Sequence, residues 1–129
     1  MNVGAKSVTD YGFYFQWGDA KGYKYNQIGY GGKYFGWNSY KYTNGNSSVP
    51  TKYNRLTDGK RILDLSDDGA RAYMGGSWRM PTQEDFLALK DAVTTEYVTN
   101  YQESGVAGLV CTDKTDSSKV LFFPATGKA

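Results

Sequence analysis

"GGSWRMPTQEDF", residues Gly75 to Phe86, is the stretch on which the fold reading turns. Two glycines and a tryptophan run into Arg79-Met80-Pro81-Thr82, and an acidic, amphipathic segment follows. Pro81 at the start of a helix costs no hydrogen bond, because the first N–H groups of a helix have no partner within it. Thr82, followed three residues later by Asp85, resembles a capping box with the shorter Asp in place of Glu. Glu84 and Asp85 put carboxylates in the first turn, where they favour the helix dipole. Beyond them Phe86, Leu89, Val93 and Tyr97 recur at three- and four-residue spacing, with Ala88 and Ala92 beside them. This spacing predicts an α-helix from Thr82 to Val98, although the β-branched "VTTEYVT" weakens its far end. Gly75 and Gly76 permit close backbone approach. Trp78 reads as a buried anchor. Trp78, Arg79, Pro81 and Thr82 are therefore expected to build a structural corner, not a reaction centre.

On the C-terminal side, "VAGLVCT", the turn "DKTDSS" and "KVLFFPATG" read as a β-hairpin whose second strand carries Val120, Leu121, Phe122 and Phe123. On the N-terminal side, "LDLSDDGARAYMGG" predicts a turn in which Asp67 or Asp68 caps a short helical piece running through Ala72. "YGFYFQWGD", Tyr11 to Asp19, alternates Phe13 and Phe15 with Tyr14 and Gln16, the pattern of a short strand or extended segment closed by Gly18-Asp19. From Tyr23 to Tyr53 no period survives. Aromatics are mixed with Gly, Asn and Ser, which predicts a long ordered loop with one short strand at most. There is no internal repeat, and the whole reads as α+β with one main helix.

Bulk composition narrows the function. At 129 residues the chain is one domain by length, large enough for a core without metals or disulfides. Its 15 basic and 13 acidic residues are interspersed, giving a net charge of +2 and no basic stripe for nucleic acid. No apolar run reaches membrane-spanning length, and "MNVGAKSVTD" lacks the apolar centre of a secretory signal, so any export signal is expected outside this sequence. The sequence has no histidine, which removes imidazole general-base chemistry and histidine metal ligation. Its single cysteine, Cys111, excludes an internal disulfide. Aromatic residues make up 16%, with 12 tyrosines and 16 glycines. That composition suits an extracellular binding surface, where Tyr supplies stiff amphipathic contact area, and equally a tyrosine-heavy core.

The candidate chemical groups argue against catalysis. Glu84 and Asp85 are helix neighbours that point in different directions, so they are not expected to flank one bond as an acid/base pair. Asp64, Asp67 and Asp68 offer oxygens to calcium but lack calcium-loop spacing, and capping is the preferred reading. Cys111 sits in an apolar-flanked strand with no histidine to activate it, as expected of a buried, inert thiol. "GYGGKYFG" lacks the strand-to-helix context and the Lys-Ser/Thr pair of a phosphate loop. No cofactor and no metal are expected. Of the loop aromatics, Tyr30, Tyr34, Trp37, Tyr40 and Tyr42 are the candidate ligand-binding residues, for a glycan or a protein, because Tyr and Trp faces dominate recognition hot spots.

"NVGAKSVTDYGFYFQWGD", "YKYTNG", "TKYN", "LDLSDDGARAYMGGSWRMPTQEDFLAL" and "VLFFPATG" together resemble the Fibrobacter succinogenes major paralogous domain family, abundant in gut Bacteroidetes and their phages. The likeness covers nearly the whole chain in the family's order. The Gly75–Phe86 segment is also similar to the Arg-Leu-Pro-Thr-x-x-Glu-Trp helix start of the formylglycine-generating enzyme superfamily. The resemblance implies a C-type-lectin-like fold: a small twisted sheet, one or two helices and long glycine- and aromatic-rich loops. It implies a non-catalytic binding or adhesion module that is extracellular, on a cell surface or on a virion. The enzyme relatives use a cysteine pair on late segments, and the lone Cys111 makes a degenerate oxidase the weakest of three readings. The third is a structural subunit. The family's pattern has a strand before Asn2 and a long stretch after Pro124-Ala125, neither present here, so an open sheet edge at Val120–Phe123 is expected to pair with another copy.

Overall fold

The computed structural model describes residues 1–28, 36–43 and 49–126. They form two compact units, one of Met1–Gly12 with Pro81–Ala129 and one of Phe13–Met80.

The first unit is α+β. Helix α2, Gln83–Ala92, follows the shorter α1, Gly69–Met74, in the chain and leads directly into strand β1, Val93–Val98. Strands β2, Gly108–Asp113, and β3, Val120–Pro124, complete an antiparallel sheet of order β1-β2-β3. The hairpin expected from "VAGLVCT" and "KVLFFPATG" is therefore present. So is the capping box: Thr82 Oγ1 accepts the Asp85 N–H at 3.2 Å, and Asp85 Oδ2 accepts the Thr82 N–H at 2.7 Å. The helix starts at Gln83, which leaves Pro81 one residue before the cap.

The far end of the predicted helix is corrected. Residues 93–98 are strand, because their β-branched and aromatic side chains suit a pleated surface and β2 supplies a partner for each of them. The helical spacing of Val93 and Tyr97 was shared by a strand pattern that puts both on one sheet face. The chain leaves α2 without a glycine cap. Instead the Lys114 N–H donates to the Ala92 carbonyl at 3.0 Å, and its Nζ donates to the Asp91 carbonyl at 2.7 Å. The turn of the hairpin thus satisfies carbonyls that the last helical turn leaves open.

In the sheet, Tyr97, Leu109 and Phe123 lie side by side across the three strands and are all exposed. On the opposite face Phe122 stacks on Tyr101, ring centroids 4.0 Å apart. Cys111 is buried in β2, as expected.

The second unit has little regular structure. Tyr14 and Tyr23 form a two-way backbone bridge, at 2.8 and 2.9 Å, where a short strand was expected. Phe13 and Phe15, on the same side as the alternation predicted, both meet the ring of Tyr73 from α1, Gly69–Met74. The Tyr73 hydroxyl in turn accepts the Gly22 N–H at 3.2 Å. Gly69 is buried beneath Phe15, whose ring leaves no room for a Cβ. The buried residues here include Tyr23, Ile28 and Ala70, but also Thr43, Asp67 and Asp68. Among the described residues this interior therefore includes a threonine and two carboxylates beside its apolar members.

Candidate functional site: an aromatic cleft on a buried carboxylate

Adjacent aspartates in "LSDDGAR" have separate tasks. Asp68 is the N-cap of α1: its Oδ1 accepts the Ala70 and Arg71 N–H groups at 2.8 and 3.2 Å. Its Oδ2 accepts the Met80 N–H at 2.7 Å, tying the end of this unit back to the start of α1. Trp78 is corrected here. It is 57% exposed and not a buried anchor, and Gly75 and Gly76 before it take positive φ. Arg79 donates from Nη1 to the Met80 carbonyl at 3.2 Å.

Asp67, 2% exposed, does not cap. Its Oδ1 accepts Lys41 Nζ at 2.6 Å. Its Oδ2 accepts the Tyr42 hydroxyl at 2.6 Å, Lys52 Nζ at 2.7 Å and the Tyr53 hydroxyl at 2.7 Å. Burial pushes the Asp67 carboxyl up, but these four donors outweigh it and hold the group well below the usual carboxylate range. Lys52 also reaches Asp64 at 2.6 Å, and its ammonium is raised by its bonds to Asp64 and Asp67. Every oxygen here is committed to a lysine or tyrosine. Among the described residues no group of His, Cys, Asp or Glu is placed to hold a metal ion.

From this knot a ladder of rings runs outward, each edge to face with the next. Tyr53 meets Tyr42 at 5.7 Å, Tyr42 meets Tyr40 at 6.0 Å, and Tyr40 meets Trp37 at 6.0 Å. The Tyr40 hydroxyl donates to the Trp17 carbonyl at 2.7 Å. Burial and the neighbouring Tyr42 and Tyr53 raise its pKa, so it remains a donor. Trp37 opens a short 3-10 turn, Trp37–Ser39. The buried Thr43 hydroxyl lies 2.6 Å from the Trp37 carbonyl and 3.0 Å from that of Tyr40, fixing the turn from inside. Gly18, at φ +82°, passes so close to Tyr53 that a Cβ would sit 2.6 Å from its ring. Tyr53 itself holds a positive φ of 56°, a strained position for a tyrosine that its two hydroxyl bonds, to Asp67 and from the Asp64 N–H at 2.9 Å, over-determine.

The ladder ends in a cleft of about 480 Å3 lined by Phe15, Gln16, Trp17, Gly36, Trp37, Tyr40, Pro50, Tyr53 and Asn54. Trp17 is 46% and Trp37 64% exposed, a large apolar area to leave in water. No described lining residue carries a charge. Gln16 Oε1 is buried and has no hydrogen-bond partner among the described residues.

Of the aromatics singled out in the sequence, Trp37 and Tyr40 line the cleft, whereas Tyr42 stands behind it, bound to Asp67. Tyr30 and Tyr34 lie outside the described residues. Trp17, Gln16 and Tyr53 were missed. Trp17 was readable as the residue before the Gly18-Asp19 turn, where a strand ends and its last aromatic faces out. Nothing local marks Tyr53.

Comparison with protein-family models, with curated proteins and with solved structures returns no match.

Proposed function

We propose that the chain is a non-catalytic ligand-binding module that recognises its ligand through the aromatic cleft of the Phe13–Met80 unit. The observation that carries this reading is the cleft itself: two half-exposed tryptophans, held by a ladder of rings anchored on Asp67. Exposed aromatics of this size are costly in water and are repaid by a partner. The buried carboxylate beneath has all its capacity committed to lysines and tyrosines, which makes it scaffolding. The order of α2, β1 and the β2–β3 hairpin is compatible with a C-type-lectin-like domain similar to the Fibrobacter succinogenes major paralogous domain. By that likeness the module belongs to a secreted or surface protein of gut Bacteroidetes or to a phage particle. Among the described residues no helix is long and apolar enough to cross a membrane.

Glycan and protein arrays probed with the wild type and with Trp37→Ala test the reading. It holds if a signal disappears in a variant whose melting is unchanged. A signal indifferent to Trp37 places binding elsewhere.

A second reading, assembly through the sheet, rests on a separate observation. Strand β3 pairs only with β2 among the described residues, and its Val120, Leu121 and Phe123 are exposed. An apolar edge recruits another strand, here that of a second copy. Light scattering across a concentration series tests it, and a strict monomer at high concentration rejects it.

A further inference from the structure

We propose that the β3 edge closes a twofold dimer in which Leu121 of one copy lies opposite Leu121 of the other, joining the two sheets into one. The inference rests on the assembly reading above and fixes its contact surface and register.

The ladder to β2 decides which backbone groups of β3 face outward. The Asp113 N–H donates to the Lys119 carbonyl at 3.0 Å, and the Ala125 N–H donates to the Ala107 carbonyl at 2.8 Å. Along an antiparallel strand the residues that bond one neighbour alternate, so Lys119, Leu121, Phe123 and Ala125 turn their N–H and C=O groups toward β2. Ser118, Val120, Phe122 and Pro124 turn theirs to the open side. The ends of that row are blunted: Pro124 has no N–H, and the Ser118 N–H donates to Asp116 Oδ1 at 3.1 Å. The open ladder is therefore Val120 and Phe122, and no described strand meets it.

This short ladder is its own complement. Turned about a twofold axis at Leu121, Val120 of one copy faces Phe122 of the other, and each such pair exchanges both hydrogen bonds. Every open N–H then finds a carbonyl. An axis at Phe122 instead sets Pro124 against Val120 inside the new ladder, where the Val120 carbonyl meets no donor.

Charge favours the same partner. Val120 to Pro124 carry no ionisable side chain, and Lys119 falls opposite Phe123 of the second copy, so no like charges oppose each other. The other edge, β1, carries Thr94, Thr95 and the charged Glu96, which discourage pairing. The unit also gains from cover. Among its described residues only Gly108, Cys111 and Pro124 are buried, whereas Val120, Leu121 and Phe123 are exposed. A second copy sets Leu121 against Leu121 and Val120 against Phe122, apolar on apolar.

The test begins with the wild type. Light scattering across a concentration series should rise from 14.3 kDa toward twice that mass and stop there. Amide exchange should slow about tenfold or more at Val120 and Phe122 as concentration rises, while Leu121 and Phe123, bonded to β2, stay protected throughout. In a Cys111→Ser background, Leu121→Cys should cross-link two chains in air, because a directly opposed, non-hydrogen-bonded pair stands about 4.5 Å apart at Cα, within disulfide reach. Val120→Cys and Phe122→Cys, each out of register with its own copy, should not. Cross-linking at Phe122→Cys in place of Leu121→Cys would overturn the register. A dimer with neither cross-link, and with no slowing at Val120 and Phe122, would overturn the β3 contact and leave assembly through another part of the sheet. Growth beyond twice the mass would overturn twofold closure. A strict monomer at high concentration would overturn the dimer together with the assembly reading, and would leave a foreign strand as the occupant of the edge.

Discussion

The Tyr42 hydroxyl donates to Oδ2 of Asp67 over 2.6 Å, joining an aromatic ring to a carboxylate that water scarcely reaches. Through that bond a charged knot sets the position of an uncharged cleft. The knot and the cleft have opposite electrostatic needs, and Tyr53 belongs to both: its hydroxyl donates to Asp67 and its side chain lines the cleft.

The first prediction concerns the knot. Asp67→Ala leaves two tyrosine hydroxyls and two ammonium groups without their shared acceptor. Removing one partner of a buried charged network costs about 3–5 kcal/mol. Urea unfolding should show that loss, whereas Lys41→Met, at the exposed rim, should cost much less. Equal losses for the two would show that Asp67 is not the centre of the network.

The acid limb of stability follows from the same group. Asp67 is held below the ordinary carboxylate range by its four donors against the effect of burial, and Asp64 by Lys52 and Lys60. With depressed native pKa values, the unfolded chain takes up protons first as pH falls. The contribution is complete above the unfolded carboxylate pKa, about 4, and is lost as pH falls through the native values. The urea midpoint should hold steady from neutrality to about pH 5 and then drop. Asp67→Asn should flatten that drop, and an unchanged profile in the variant would count against the assignment.

Gly18→Ala tests the close approach beneath the cleft. The methyl group would meet the Tyr53 ring, and the residue would keep a φ of +82° that L-residues rarely adopt. A loss of about 1–3 kcal/mol is expected from strain and overpacking. A variant as stable as the wild type would mean that Tyr53 moves freely.

At the helix start, Thr82→Ala should cost about 1 kcal/mol through loss of the cap. Trp78→Ala, at an exposed indole, should cost no more than about 1 kcal/mol. Thermal melts of both variants check the order, and a larger effect at Trp78 would restore it as an anchor.

Cys111 should be inert. Burial pushes its thiol pKa up, which keeps the thiolate population low. Ellman's reagent should react slowly with the native protein and fully after denaturation. Rapid native labelling would contradict this.

What was legible in the sequence is local. The Thr82/Asp85 box, the Asp68 cap and the β2–β3 hairpin are each written within a few residues, so their chemistry is decided before any tertiary contact forms. The alternation of Phe13 and Phe15 also announced their shared side. The end of α2 was ambiguous for a physical reason: Val93 and Tyr97 satisfy a helical and a strand spacing alike, and only pairing with Asp113 and Leu109 chose between them. The site is non-local. The partners of Asp67 lie 14 to 26 residues before it, so no window of sequence separates its role from that of Asp68 beside it. Trp17 and Trp37 stand 20 positions apart and meet only in a cleft created by the ring ladder and by the absence of a Cβ at Gly18. The sequence by itself determined the caps and the hairpin, because those depend on neighbours along the chain. Tertiary structure alone decided which tyrosines became scaffold and which tryptophans remained in water, because a ring is buried or exposed by whatever distant residue arrives to cover it.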